Sequence, residues 1–71
     1  MINEVMQIVL NGDDHTLPSE MTLAQLVEHL GIDRRLVALA HNGEVVPRDT
    51  YEQVTVHDGD AVEIVRMVGG G

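Results

Sequence analysis

In the stretch Met6-Gln-Ile-Val-Leu10 the residues Met6, Ile8 and Leu10 fall two apart, on one face of a strand. Asn11-Gly12 follows, the dipeptide that most readily takes two positive φ angles, so a tight hairpin is expected there. A short return strand around His15-Thr-Leu17 then stops at Pro18. The pattern changes at Thr22-Leu-Ala-Gln25, a capping box: the threonine hydroxyl can accept a first-turn N–H, and the glutamine can reach back to the cap. Leu23, Leu26, Val27 and Leu30 recur at i, i+3, i+4 and i+7, which is one apolar stripe on a helix of 23–30. Gly31 sits where a left-handed residue ends such a helix.

Beyond the helix the period returns to that of strands. Leu36-Val-Ala-Leu-Ala40 reads as a buried strand, and Asn42-Gly43 turns it back through Glu44-Val-Val46 to Pro47. Residues 48–54 read as a loop with a short helical turn, followed by a brief strand at Thr55-Val56. Asp58-Gly59-Asp60 marks a turn, and 61–68 form the last strand. The order is hairpin, helix, hairpin, turn, strand. A helix so placed must lie across one face of a mixed sheet. If the last strand pairs with the first, the pairing is parallel and central, which suits the aliphatic runs of both. The expected fold is therefore α+β: a ubiquitin-like β-grasp, a mixed sheet of four to five strands with one helix packed across it. One domain covers 1–68, with residues 1–5 a ragged extension, and 69–71 form a flexible glycine tail.

The last strand carries more apolar surface than one core requires. Alternation puts Val62, Ile64 and Val68 on a face with Arg66, and Glu63, Val65 and Met67 on the other. The helix covers only one face. If Val62 and Ile64 point to it, Val65 and Met67 point outward beside the glycines, which suggests a docking patch rather than stray surface apolars. Ala40 lies on a strand expected to adjoin the last one, and its small side chain leaves room for a partner. With Gly69 these residues are the candidate partner-binding set.

Composition narrows the chemistry. The chain has 71 residues, near the lower limit for folding without help, and no cysteine, so there is no disulfide, thiolate metal site or nucleophilic thiol. One aromatic residue, Tyr51, leaves a core that is almost wholly aliphatic. Twelve acids against four arginines give a formal charge of −8, which repels phosphate backbones and argues against nucleic acid as a ligand. Acidity of this kind suits a basic protein surface, or merely keeps a small protein in solution. No apolar run reaches membrane-spanning length and no signal peptide is visible, so a cytoplasmic location is expected. His15, His29, His41 and His57 fall on separate elements without ligand spacing, so no metal is expected. Asp13-Asp14 reads as a hairpin tip. Nothing places a base beside a nucleophile, so no enzyme activity of its own is expected.

The pieces MQIVLNG, TLAQLVEHLGI, VALAHNGEVVPRDTYE and DGDAVEIVRMVGGG, in this order from Met6 onward, resemble the sulfur carrier family of thiamin biosynthesis. That family consists of ubiquitin-like proteins ending in Gly-Gly. The resemblance implies that a ubiquitin-activating-like adenylyltransferase uses ATP to adenylate the carboxylate of Gly71. Sulfur then replaces oxygen to give a thiocarboxylate, and thiazole synthase accepts the sulfur. Gly70 and Gly71 are the residues at which this chemistry is expected; no cofactor is bound by the carrier itself. The same fold and tail occur in the small subunit of molybdopterin synthase, so the acceptor pathway stays open here. So does a non-covalent ubiquitin-like module with an idle tail. Physical argument supports the carrier: glycines without Cβ fit a narrow channel, and three of them extended span roughly 10 Å. With no cysteine to hold a persulfide, any sulfur carried must sit on the terminal carboxyl.

Overall fold

The computed structural model describes residues 5–67. Strands β1 (Met6–Leu10) and β2 (Asp13–Leu17) form the first hairpin, and β3 (Met21–Thr22) leads into helix α1 (Leu23–His29). A 3-10 turn, Arg34–Leu36, precedes β4 (Val37–His41) and β5 (Glu44–Val46). A second 3-10 turn, Arg48–Gln53, connects to β6 (Thr55–Val56) and β7 (Ala61–Arg66). The main sheet has the order β2-β1-β7-β4-β5, and β3 pairs with β6 in a separate two-stranded sheet. β7 runs parallel to β1 through Val9–Ala61 and Leu10–Val62, and antiparallel to β4 from Val37–Arg66 to His41–Val62. The mixed five-stranded sheet with one helix across it is the β-grasp that the element order implies.

The core forms where the strand period and the helix period meet. Leu23, Leu26 and Val27 of α1 are buried against Ile8, Leu39 and Val62 of the sheet. Leu30 and Ile64 pack at the edge of this core and stay half-buried. Met6, Leu17, Val37, Val56 and Tyr51 complete it. Tyr51 is buried although it lies in a 3-10 turn, where the sequence pattern gave no sign of a core position. The capping box holds: the Thr22 hydroxyl accepts the Gln25 N–H at 3.1 Å, and the Gln25 side chain accepts the Thr22 N–H at 2.9 Å.

Several boundaries differ from the sequence pattern. β2 begins at Asp13, so Asp13 and Asp14, expected at a hairpin tip, are strand residues paired with Leu10 and Val9. Leu30 caps α1 rather than belonging to it, with Gly31 at φ +72° immediately after. Leu36 ends a 3-10 turn instead of starting β4, because the Asp33 carboxylate accepts the Arg35 N–H at 2.9 Å and winds the chain there. β7 stops at Arg66; Val68, expected in that strand, is outside the described residues. Met67 lies past β7, yet its N–H donates to the Leu36 carbonyl at 2.8 Å.

Candidate functional site

The strand that leads toward the glycines is held on both sides by an asparagine. Asn11 and Asn42 each open a tight turn with positive φ, 52° and 51°, a conformation that asparagine tolerates better than most residues. The geometry aims both side chains at β7. Asn11 donates its main-chain N–H to the Val62 carbonyl at 3.0 Å. Its Oδ1 accepts the Ile64 N–H at 2.7 Å, and its Nδ2 donates to the Ile64 carbonyl at 3.3 Å. Asn42 repeats the device on the other flank: its N–H donates to the Ala61 carbonyl at 2.8 Å and its Oδ1 accepts the Ala61 N–H at 2.9 Å. Each side chain thus completes the hydrogen bonding of β7 where a neighbouring strand has turned away.

The sheet face opposite α1 is apolar around β7. The register sets Ala38 beside Val65, and Ala40 between Val45 and Glu63. Val65 is 62% exposed and Met67 44%, while Val45 reaches 77% and Leu36 53%. Ala38 and Ala40 are half-buried between these larger neighbours. The expected outward set of Ala40, Val65 and Met67 is therefore brought onto one surface. Val45 and Leu36 belong to it as well. The signal for Val45 was present: an Asn-Gly turn fixes the hairpin register and puts Val45 opposite Ala40. Leu36 was hidden by its expected place in a buried strand. Gly69, Gly70 and Gly71, and with them the reading of 69–71 as a flexible tail, lie outside the described residues.

The titratable groups serve the fold. The Asp60 carboxylate accepts the His57 N–H at 2.9 Å, and its Oδ2 lies 2.7 Å from His41 Nε2. Burial works against the charged carboxylate, but the His57 main-chain N–H and the His41 and Asn42 side chains outweigh it and hold its pKa below the ordinary value. Asp58 accepts the Gln7 N–H at 2.8 Å, so the Asp-Gly-Asp turn clasps β1. Among the described residues no group of three or more His, Asp or Glu side chains could hold a metal ion. No helix among them is long and apolar enough to cross a membrane.

Comparison with known proteins places this geometry in context. A model of the ThiS family matches residues 2–71. A thiazole synthase from Paramagnetospirillum magneticum is 46% identical over 66 residues, covering 93% of this chain but 20% of that protein. The chain spans about a fifth of the length of the curated thiazole synthases it matches. The sulfur carrier protein ThiS of Escherichia coli is 33% identical over 66 residues, covering 93% of this chain and 100% of the other. The crystal structure of a thiamine biosynthesis protein (ThiS) from Geobacter metallireducens superposes with a TM-score of 0.82 at 33% identity, over 93% of this chain and 100% of that one.

Proposed function

This chain belongs to the ThiS family, the ubiquitin-like sulfur carriers of thiamin biosynthesis, and we propose that it carries sulfur on the main-chain carboxyl of Gly71. A carboxylate is a poor electrophile and needs a leaving group. In the proposed sequence an adenylyltransferase of ubiquitin-activating type supplies ATP, and the Gly71 carboxylate attacks the α-phosphorus. The bond to pyrophosphate breaks and an acyl-adenylate forms. A sulfide equivalent then attacks the acyl carbon, AMP departs, and sulfur stands where the terminal oxygen was. The thiocarboxylate donates this sulfur to thiazole synthase for the thiazole ring. The carrier performs no catalysis; it is the co-substrate of both partners. A cytoplasmic location, where ATP is abundant, is part of the same proposal.

The family match through residue 71 is the observation that carries this reading. Two further observations support it. The thiazole synthases of two bacteria contain a stretch similar to this whole domain, which favours thiazole synthase as the acceptor over a molybdopterin enzyme. The exposed Val65, near the end of β7, and Met67, just past it, stand where a partner that receives the glycines would meet them. Together with Ala40 and Gly69 they form the proposed docking surface.

The test is intact mass after incubation with ATP, an adenylating partner and a sulfur donor. The parent should gain the mass difference between sulfur and oxygen. One alanine added after Gly71 moves the carboxylate by up to about 3.5 Å, enough to abolish productive geometry. Gly70→Ala should slow the reaction less, because a Cβ presses on the channel without displacing the reacting group. Thiolation of the extended chain at the parental rate would remove the terminal carboxyl as the sulfur-bearing group. The same result would leave the non-covalent module as the better reading.

A further inference from the structure

The helix side of β7 holds a second surface that the carrier chemistry does not use. α1 is short, Leu23–His29, and ends before it covers the last inward position of β7. A groove of about 440 Å³ remains there, floored by Leu10, Leu30, Ile32, Val37 and Ile64 and bordered by Arg66. Four of these five aliphatic side chains are only half-buried; Val37 alone is fully covered. β1 and β7 are parallel and β4 is antiparallel to both. The ends of β1 and β7, the start of β4 and the end of α1 therefore converge on one end of the molecule. The groove lies at that end, across the sheet from Val65.

Charge identifies what the groove can take. The protein has twelve acids for four arginines, so a guanidinium has many carboxylates to choose from. Arg34 pairs with Glu52 at 2.6 Å and Arg35 with Asp33 at 2.8 Å. Arg48 and Arg66 have no carboxylate within 4.0 Å among the described residues, and of the two only Arg66 borders the groove. Asn11, which also borders the groove, has its side chain committed to the Ile64 backbone on both its oxygen and its nitrogen. Polar recognition in the groove therefore falls to Arg66, a planar fork of donors that matches a carboxylate in two parallel hydrogen bonds. A phosphate brings up to two negative charges into the field of a chain at −8; a carboxylate brings one.

We propose that this groove binds a segment of a partner protein in which an aliphatic side chain is followed by an Asp or Glu. The aliphatic group fills the floor and the carboxylate pairs with Arg66. The site would work equally for a sulfur carrier and for a non-covalent module, so it stands independently of the function proposed above. Its position means that a partner holding the end of β7 can grip the strand from both faces of the sheet.

The experiment is a titration of isotope-labelled protein with two acetylated, amidated hexapeptides that differ at one position, one carrying Leu-Glu and the other Leu-Lys. The Leu-Glu peptide should move the methyl resonances of Leu30, Ile32 and Ile64 and saturate at roughly millimolar concentration, as expected for one small side chain and one ion pair. The Leu-Lys peptide should leave them in place. Arg66→Gln should weaken the Leu-Glu peptide by about tenfold or more. Its melting temperature should match the parent, because Arg66 is exposed. Equal shifts with both peptides, undiminished binding to Arg66→Gln, or no shift up to the solubility limit would each overturn the proposal. Shifts confined to Val65 and Met67 would put the peptide on the opposite face and overturn it too.

Discussion

Asn11 contributes through its backbone angle and its side-chain amide, and substitution can separate the two. Asn11→Gly keeps a residue that accepts positive φ but removes the side-chain bonds to Ile64, so it should cost about 1 kcal/mol in urea unfolding. Asn11→Ala loses the same bonds and adds left-handed strain of roughly 1–2 kcal/mol. Equal midpoints for parent and glycine variant would show that the clamp adds nothing. The two Asn-Gly turns were legible in the sequence because the signal is local. The clamps were not, since Asn11 and Ile64 lie 53 residues apart and only the folded sheet brings them together. Asp60 sets a pH dependence. Its carboxyl titrates at lower pH in the folded chain than in the unfolded one, so its contribution is complete above the ordinary pKa of 3.8. That contribution fades as pH falls through the depressed folded value. Asp33, lowered to about 2 by Arg35, follows the same sign, but its exposure to solvent leaves it screened. Asp60→Asn should therefore flatten the loss of stability below about pH 4 and lower the stability near neutrality. An acid limb identical to the parent's would remove Asp60 as its origin.

Helix α1 has seven residues, too few to persist alone in water, so its packing must hold it. Leu26 has no exposed surface, and Leu26→Ala should cost about 2–5 kcal/mol, a large share of what so small a domain has. An unchanged melting temperature would place Leu26 outside the core. Thr22→Ala removes one half of the capping box and should cost about 1 kcal/mol. Helix, hairpins and the central parallel pair could all be read from the sequence, because each spans enough residues to show a period or a turn signal. β3 could not, since two residues have no period and its partner β6 follows the second hairpin. Of the two 3-10 turns, the second was legible as the helical turn expected within 48–54, but the first, Arg34–Leu36, was not. The two are tied by Arg34, which donates to Glu52 at 2.6 and 3.0 Å and to the Arg48 carbonyl at 3.1 Å. Its guanidinium sits 5.3 Å from the Tyr51 ring centre, so the lone aromatic is anchored by a contact that no local pattern records.

At the scale of the molecule, one sheet face is covered by α1 and the other offers Val45, Val65, Met67 and Leu36 to solvent. Val65→Asp or Met67→Asp should weaken binding to the proposed adenylating partner while the melting temperature stays near the parental value, since both sites are exposed. If both variants bind normally, the acidic surface becomes the better candidate for docking. The outward direction of Val65 and Met67 was legible from alternation alone; the breadth of the patch depended on register. The placement of β7 has a mechanical consequence. It occupies the middle of the sheet, bonded to β1 on one side and β4 on the other, with an asparagine on each flank. When a partner grips residues beyond Arg66 and draws them in, tension runs along β7. The bonds to β4 lie across that pull and those to β1 slant across it, so they are loaded together as in a lap joint rather than peeled apart one by one. A domain built this way can be hauled by one end into a tight channel, and released from it, with its fold still closed.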